Sequence, residues 1–107
     1  MNKRKVVTLC GSVKFYDKMQ EINEKLALEN EYVVIGLTPR VTNRTFTEHD
    51  KELLGELHRA KIDLSDAIFV VNVDGYIGES TRGEIEYAKQ IEKEIMYLEN
   101  IEGDIIW

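Results

Sequence analysis

The chain alternates short β-branched runs with stretches of helical periodicity, and this constrains its fold more than any other feature. Lys5 to Cys10, KVVTLC, is an apolar run stopped by Gly11, as expected of a strand buried on both faces. Residues 13 to 29 then place Val13, Phe15, Met19, Ile22, Leu26 and Leu28 at mostly helical spacing, with Asp17 and Glu21 toward the start. Tyr32 to Leu37, YVVIGL, predicts a second strand, closed by a loop containing Pro39. Residues 48 to 62 form a second helix, with Leu53, Leu54, Leu57 and Ala60 on its expected inner face. Ala67 to Val73, AIFVVNV, is the most hydrophobic stretch and predicts a central strand ending at the turn signal Asp74-Gly75. A third helix runs from the GESTRGEIEYAK stretch, residues 78 to 89, to about Lys93, and Ile95 to Leu98 supplies a fourth strand. Ile105, Ile106 and Trp107 in the tail suit either an edge strand or a contact with a second subunit.

Strand, helix, strand, helix, strand, helix, strand predicts an α/β protein. The expected form is a three-layer sandwich with a doubly wound parallel sheet of four to five strands, Rossmann-like or flavodoxin-like. A length of 107 residues holds one such domain and one core, so the expectation is a single domain over residues 1–107. No apolar run approaches the length that spans a bilayer, and too few apolar residues precede Gly11 and Ser12 for a secretory signal. No membrane association is expected, and a cytoplasmic location is. The 14 basic and 20 acidic residues leave a formal charge of −6, which repels nucleic acid and points to a small-molecule partner. Arg40 and Arg44 make the loop of residues 37 to 49 a local exception. A single cysteine, Cys10, excludes an internal disulfide. With His49 and His58 the only histidines, no ligand set has zinc spacing, so neither a metal nor another cofactor is expected.

In sheets of this kind ligands bind beyond the carboxyl ends of the strands. Gly11-Ser12 and the loop from Asp74 to Thr81 both fall at that edge. Thr81 followed by Glu84 fits a capping box, which makes helix capping the simplest role for Glu84. The periodicity adds a second role. At 100° per residue Glu84 lies about 40° from the centre of the Ile85, Ala88, Ile91 stripe, whereas Glu86 lies about 160° away. Glu84 therefore turns toward the sheet and Glu86 toward water.

Three segments carry a family resemblance: VTLCGSVKF at the first strand, SDAIFVVNV at the central strand and, most specifically, GYIGESTRGEIEYAK. Over about residues 5 to 98 the chain resembles the nucleoside 2-deoxyribosyltransferase-like superfamily, which contains deoxyribosyltransferases and nucleotide N-glycosidases. The resemblance implies that Glu84, followed by Tyr87 and Ala88, attacks the anomeric carbon of a nucleoside or nucleotide to give a glycosyl-enzyme intermediate. Family members commonly carry an assisting aspartate near the end of the preceding helix. The matching position here falls at or near His58, a departure that makes His58 the candidate proton donor to the leaving base. Gly11 and Ser12 match the family's Gly-Ser loop. Gly78, Glu79, Ser80 and Thr81 complete the candidate substrate-binding set, with Arg82 beside a helix end suited to a 5′-phosphate. Arg40 or Arg44 from the long loop is a candidate to close over such a phosphate, a solvated loop being the simpler reading. Asp63 and Asp66 read as helix-end and turn residues. Family members often assemble so that a neighbour completes the pocket, so a homo-oligomer is expected.

Two other readings of the motifs fail on missing residues. A low-molecular-weight phosphatase needs an arginine six residues after Cys10, where Tyr16 stands. A receiver domain using Asp74 needs an acidic pair after the first strand, where Cys10, Gly11 and Ser12 stand. A binding module that holds a nucleotide or related ribosyl ligand without turning it over remains the alternative to an enzyme.

Overall fold

The computed structural model describes residues 3–99. Four strands, β1 (Val6–Cys10), β2 (Val33–Ile35), β3 (Ala67–Val70) and β4 (Glu94–Tyr97), alternate with three helices, α1 (Tyr16–Asn30), α2 (Glu48–Asp63) and α3 (Glu79–Gln90). Short 3-10 turns at Val13–Phe15 and Val73–Gly75 follow β1 and β3. All strand pairs are parallel and the order is β2-β1-β3-β4. The result is a small α/β sandwich. The chain steps from β1 outward to β2, then returns across β1 to β3 and β4. The loops after β1 and β3 therefore diverge and leave a crevice at the carboxyl edge.

Strand alternation divides the core in two. Cys10, Ile68, Val70 and Ile95 pack with Ile62 of α2 and with Ile85 and Ala88 of α3. Leu9 and Val71, with the partly buried Phe69, pack against Met19, Ile22 and Leu26 of α1. Complete burial of each such aliphatic side chain contributes about 1.5–3 kcal/mol before conformational entropy is subtracted.

Side chains set several boundaries that periodicity leaves open. β3 stops at Val70, short of the expected Val73, because buried Asn72 replaces the ladder with a two-way clamp on Glu99. Its Nδ2 donates to the Glu99 carbonyl and its Oδ1 accepts from the Glu99 amide, both at 2.9 Å. Asp74 (φ 55°) and Gly75 (φ 80°) then turn in the left-handed region, as the Asp-Gly pair foretells. α3 ends at Gln90, before Lys93. Glu92 (φ 59°) takes the left-handed position while Glu92 N donates to Lys89 O and Lys93 N to Ala88 O, the paired bonds of a Schellman motif. α2 opens with a capping box: Thr47 Oγ1 accepts from Asp50 N (3.1 Å) and Asp50 Oδ2 accepts from Thr47 N (2.9 Å).

The inner face of α2 differs from the expected one. His58 and Ile62 are its buried residues, whereas Leu53 (43% exposed), Leu57 (46%) and Ala60 face outward. The face that meets the sheet runs through His58 and Ile62, while Leu54 on the same side lines the cavity. The Ile105, Ile106 and Trp107 reading lies outside the described residues. Among the described residues no helix is long and apolar enough to cross a membrane.

Candidate functional site

The crevice holds a cavity of about 670 Å³. The eight candidate catalytic and substrate-binding residues line it, and Arg82 does not: Gly11 and Ser12 after β1, His58 on α2, Gly78, Glu79, Ser80 and Thr81 at the start of α3, and Glu84 one turn further. Their convergence follows from the topology, because the carboxyl edge brings the β1 loop, the middle of α2 and the amino end of α3 together.

Glu84 is not a cap. α3 begins at Glu79 with Gly78 as its N-cap and no side-chain capping bond, so the Thr81 and Glu84 box expected from the motif does not form. Thr81 is already helical and buried, and Glu84 lies beyond the first turn. Its direction is the one periodicity gives: the Glu84 side chain is 20% exposed, and Glu86 is exposed. Glu84 Oε1 is buried without a hydrogen-bond partner. Burial pushes its carboxyl up to about 7, while the Cys10 thiol and the charge of Arg59 pull weakly downward.

His58 Nε2 lies 3.6 Å from Glu84 Oε1 and 3.5 Å from Cys10 Sγ. Burial, reinforced by the charge of Lys61, lowers the imidazole to about 4, so His58 is neutral at pH 7 and the approach to Glu84 is not an ion pair. Burial, followed by the neighbouring Glu84, raises the Cys10 thiol well above its ordinary value. The floor of the cavity is therefore three mutually close groups, each of which burial holds toward its neutral form.

The walls have the opposite character. Among the described residues Arg40, Lys51, Arg59 and Lys61 line the cavity against two carboxylates, Glu79 and Glu84, in a chain whose overall charge is −6. Arg40 stacks on Phe46, 4.0 Å from the ring centroid. Lys61 Nζ donates to the Gly36 carbonyl at 3.0 Å, which ties α2 to the loop after β2. Arg44 does not line the cavity. It donates to Asp50 Oδ1 (2.6 Å) and holds the start of α2. The first turn of α3 adds amide groups with no side-chain cap.

Gly11 is closely packed against the flexible end of Met19 and the Val71 backbone. A Cβ there would sit 2.4 Å from Met19 Cε and 3.1 Å from the Val71 carbonyl. Ser12 Oγ accepts from Lys14 N (3.3 Å), capping the 3-10 turn as well as lining the cavity. Asp63 and Asp66 serve structure: Tyr87 Oη donates to Asp63 Oδ1 (2.5 Å) and Val6 N to Asp66 Oδ2 (2.8 Å). Sequence reasoning missed Cys10 as a neighbour of Glu84, and Arg59 and Lys51 as wall residues. Cys10 alternates with Leu9 on β1, which placed it facing α2 or α3 but not against which side chain.

Comparison with protein-family models, curated proteins and solved structures yields no match to this chain.

Proposed function

We propose that the chain cleaves or exchanges the N-glycosidic bond of a nucleoside or nucleoside 5′-monophosphate with Glu84 as nucleophile. The observation that carries this reading is the unpartnered Glu84 Oε1 at the floor of a cavity of nucleotide size. A buried carboxylate oxygen without a hydrogen-bond partner is poorly stabilised until positive charge develops beside it, as happens at C1′ when the base departs. An oxygen of Glu84 bonds to C1′ as the C1′–N bond breaks and its electron pair leaves with the base. Water or a second base then takes C1′, and the carboxylate is regenerated.

The four wall cations and the uncapped amides of α3 favour an anionic ligand, hence a 5′-phosphate. His58 is neutral where an acid would need its proton, which favours a positioning role for it: Nε2 packs against the nucleophile and fixes its orientation. The same observation favours the second reading, a module that binds a nucleotide without turnover. The reading extends to a homo-oligomer, supported by the outward Leu53, Leu57 and Leu64, and to a cytoplasmic location, consistent with the free thiol of Cys10.

The test is incubation with deoxynucleosides, ribonucleosides and their 5′-monophosphates, followed by chromatography for free base. Release by the native chain, lost in Glu84→Gln and kept in Glu86→Gln, supports the enzyme. Saturable binding of a monophosphate with no release from any member supports the module.

A further inference from the structure

The neighbours of Glu84 form a donor set that hydrogen bonding leaves incomplete. Cys10 Sγ, His58 Nε2 and a Glu84 carboxylate oxygen all lie within 4.8 Å of one another. The sulfur-to-nitrogen and nitrogen-to-oxygen separations are 3.5 Å and 3.6 Å. Zinc bonds of about 2.3 Å to sulfur and about 2.0–2.1 Å to nitrogen or oxygen, at tetrahedral angles, place donor atoms roughly 3.3–3.6 Å apart. Two of the three separations thus match the spacing one such ion imposes, and the sulfur-to-oxygen separation lies within 4.8 Å. The three side chains come from three separate elements: the end of β1, the middle of α2 and the second turn of α3. Among the described residues Glu84 Oε1 is the one buried side-chain oxygen without a partner, and it is the atom at the short approach to His58.

We propose that Cys10, His58 and Glu84 bind one zinc(II) ion at the cavity floor, with a fourth coordination position open to the cavity. One sulfur, one imidazole nitrogen and one carboxylate oxygen suit zinc and exclude the all-oxygen preference of magnesium and calcium. His58 and Glu84 line the cavity while Cys10 is fully buried, so the open position faces the cavity. On binding, the thiol proton and any proton on Glu84 pass to solvent. The inference does not rest on glycosyl transfer. It adds a consequence to it, since an oxygen committed to zinc is unavailable to C1′ and the ion becomes an inhibitor of that step.

The test uses the full chain stripped with a chelator and titrated with zinc(II) against a chromophoric chelator, then with cobalt(II) as a spectroscopic substitute. Uptake of one ion per chain is expected, with a near-ultraviolet sulfur-to-cobalt charge-transfer band and visible bands of tetrahedral intensity. Cys10→Ser should abolish the charge-transfer band, and His58→Gln should weaken zinc binding by about tenfold or more. His49→Gln, on the exposed start of α2, should change neither. Circular dichroism checks that each variant is folded, and the native chain's cobalt spectrum is decisive should a variant fail. No uptake at one equivalent, an octahedral spectrum without the sulfur band, or binding unchanged in folded Cys10→Ser would overturn the proposal. Zinc uptake by a chain that releases no base even when stripped of metal supports this site and counts against glycosyl transfer. Base release by a chain that takes up no zinc does the reverse.

Discussion

His58 Nε2 and Glu84 Oε1 approach to 3.6 Å, yet the two groups carry little opposite charge at neutral pH. Burial moves the imidazole down to about 4 and the carboxyl up to about 7, so each tends to its uncharged form. This relationship links the cavity floor to the response of the fold to pH.

The stability of metal-free protein should show opposed linkages. Glu84 has a folded value above its ordinary 4.5, so its contribution is complete below 4.5 and is lost as pH rises through about 7. His58 has a folded value below 6.5, so its contribution is present above 6.5 and is lost as pH falls through about 4. Between pH 4.5 and 6.5 the two slopes oppose each other, and above that range the Glu84 loss stands alone. Relative to the native chain, Glu84→Gln should gain on the order of 3 kcal/mol between pH 4.5 and 8. Denaturant melts at both pH values check this, and a pH-independent difference would refute it.

Arg59 lines the cavity and its charge reaches Glu84. If the ligand carries a 5′-phosphate, Arg59→Ala should raise KM for the monophosphate by about tenfold, with little change for the uncharged nucleoside. Equal changes for both substrates would remove the phosphate from the reading. Arg44→Ala, which loses its bond to Asp50 outside the cavity, should leave that ratio unchanged.

Gly11→Ala should lower stability by roughly 1–3 kcal/mol through overpacking, because the added methyl meets Met19 Cε. Combining it with Met19→Ala should recover part of the overpacking strain, so the two losses should not add. A thermal-melt double-mutant cycle measures the coupling.

Leu53, Leu57 and Leu64 leave an apolar stripe outside the core, at 43%, 46% and 74% exposure. Sedimentation of the native chain should show an oligomer, and Leu53→Glu with Leu57→Glu should shift it to monomer while the melting temperature changes little. A native chain that sediments as a monomer at all concentrations would remove the second subunit from the proposal.

Local pattern made several features legible. KVVTLC and AIFVVNV read as parallel-strand runs, and the order of elements followed from their alternation with helical spacing. The direction of Glu84 was readable because 100° per residue relates it to Ile85 and Ala88 regardless of what those residues touch. The capping role of Glu84 was misread because a Thr-x-x-Glu pattern does not say where the first helical turn begins. Gly78 starts α3 three residues earlier than that pattern implies.

The sequence by itself determined the strand and helix order and sent one carboxylate inward, since both depend on neighbours within a few turns of chain. Tertiary structure decided which apolar face of α2 meets the sheet, and so put His58 rather than Leu53 or Leu57 inside. It alone brought residues 10, 58 and 84 within 4.8 Å. Those contacts depend on the register of β1 against β3 and on how two helices seat on one face, and no spacing along the chain encodes either.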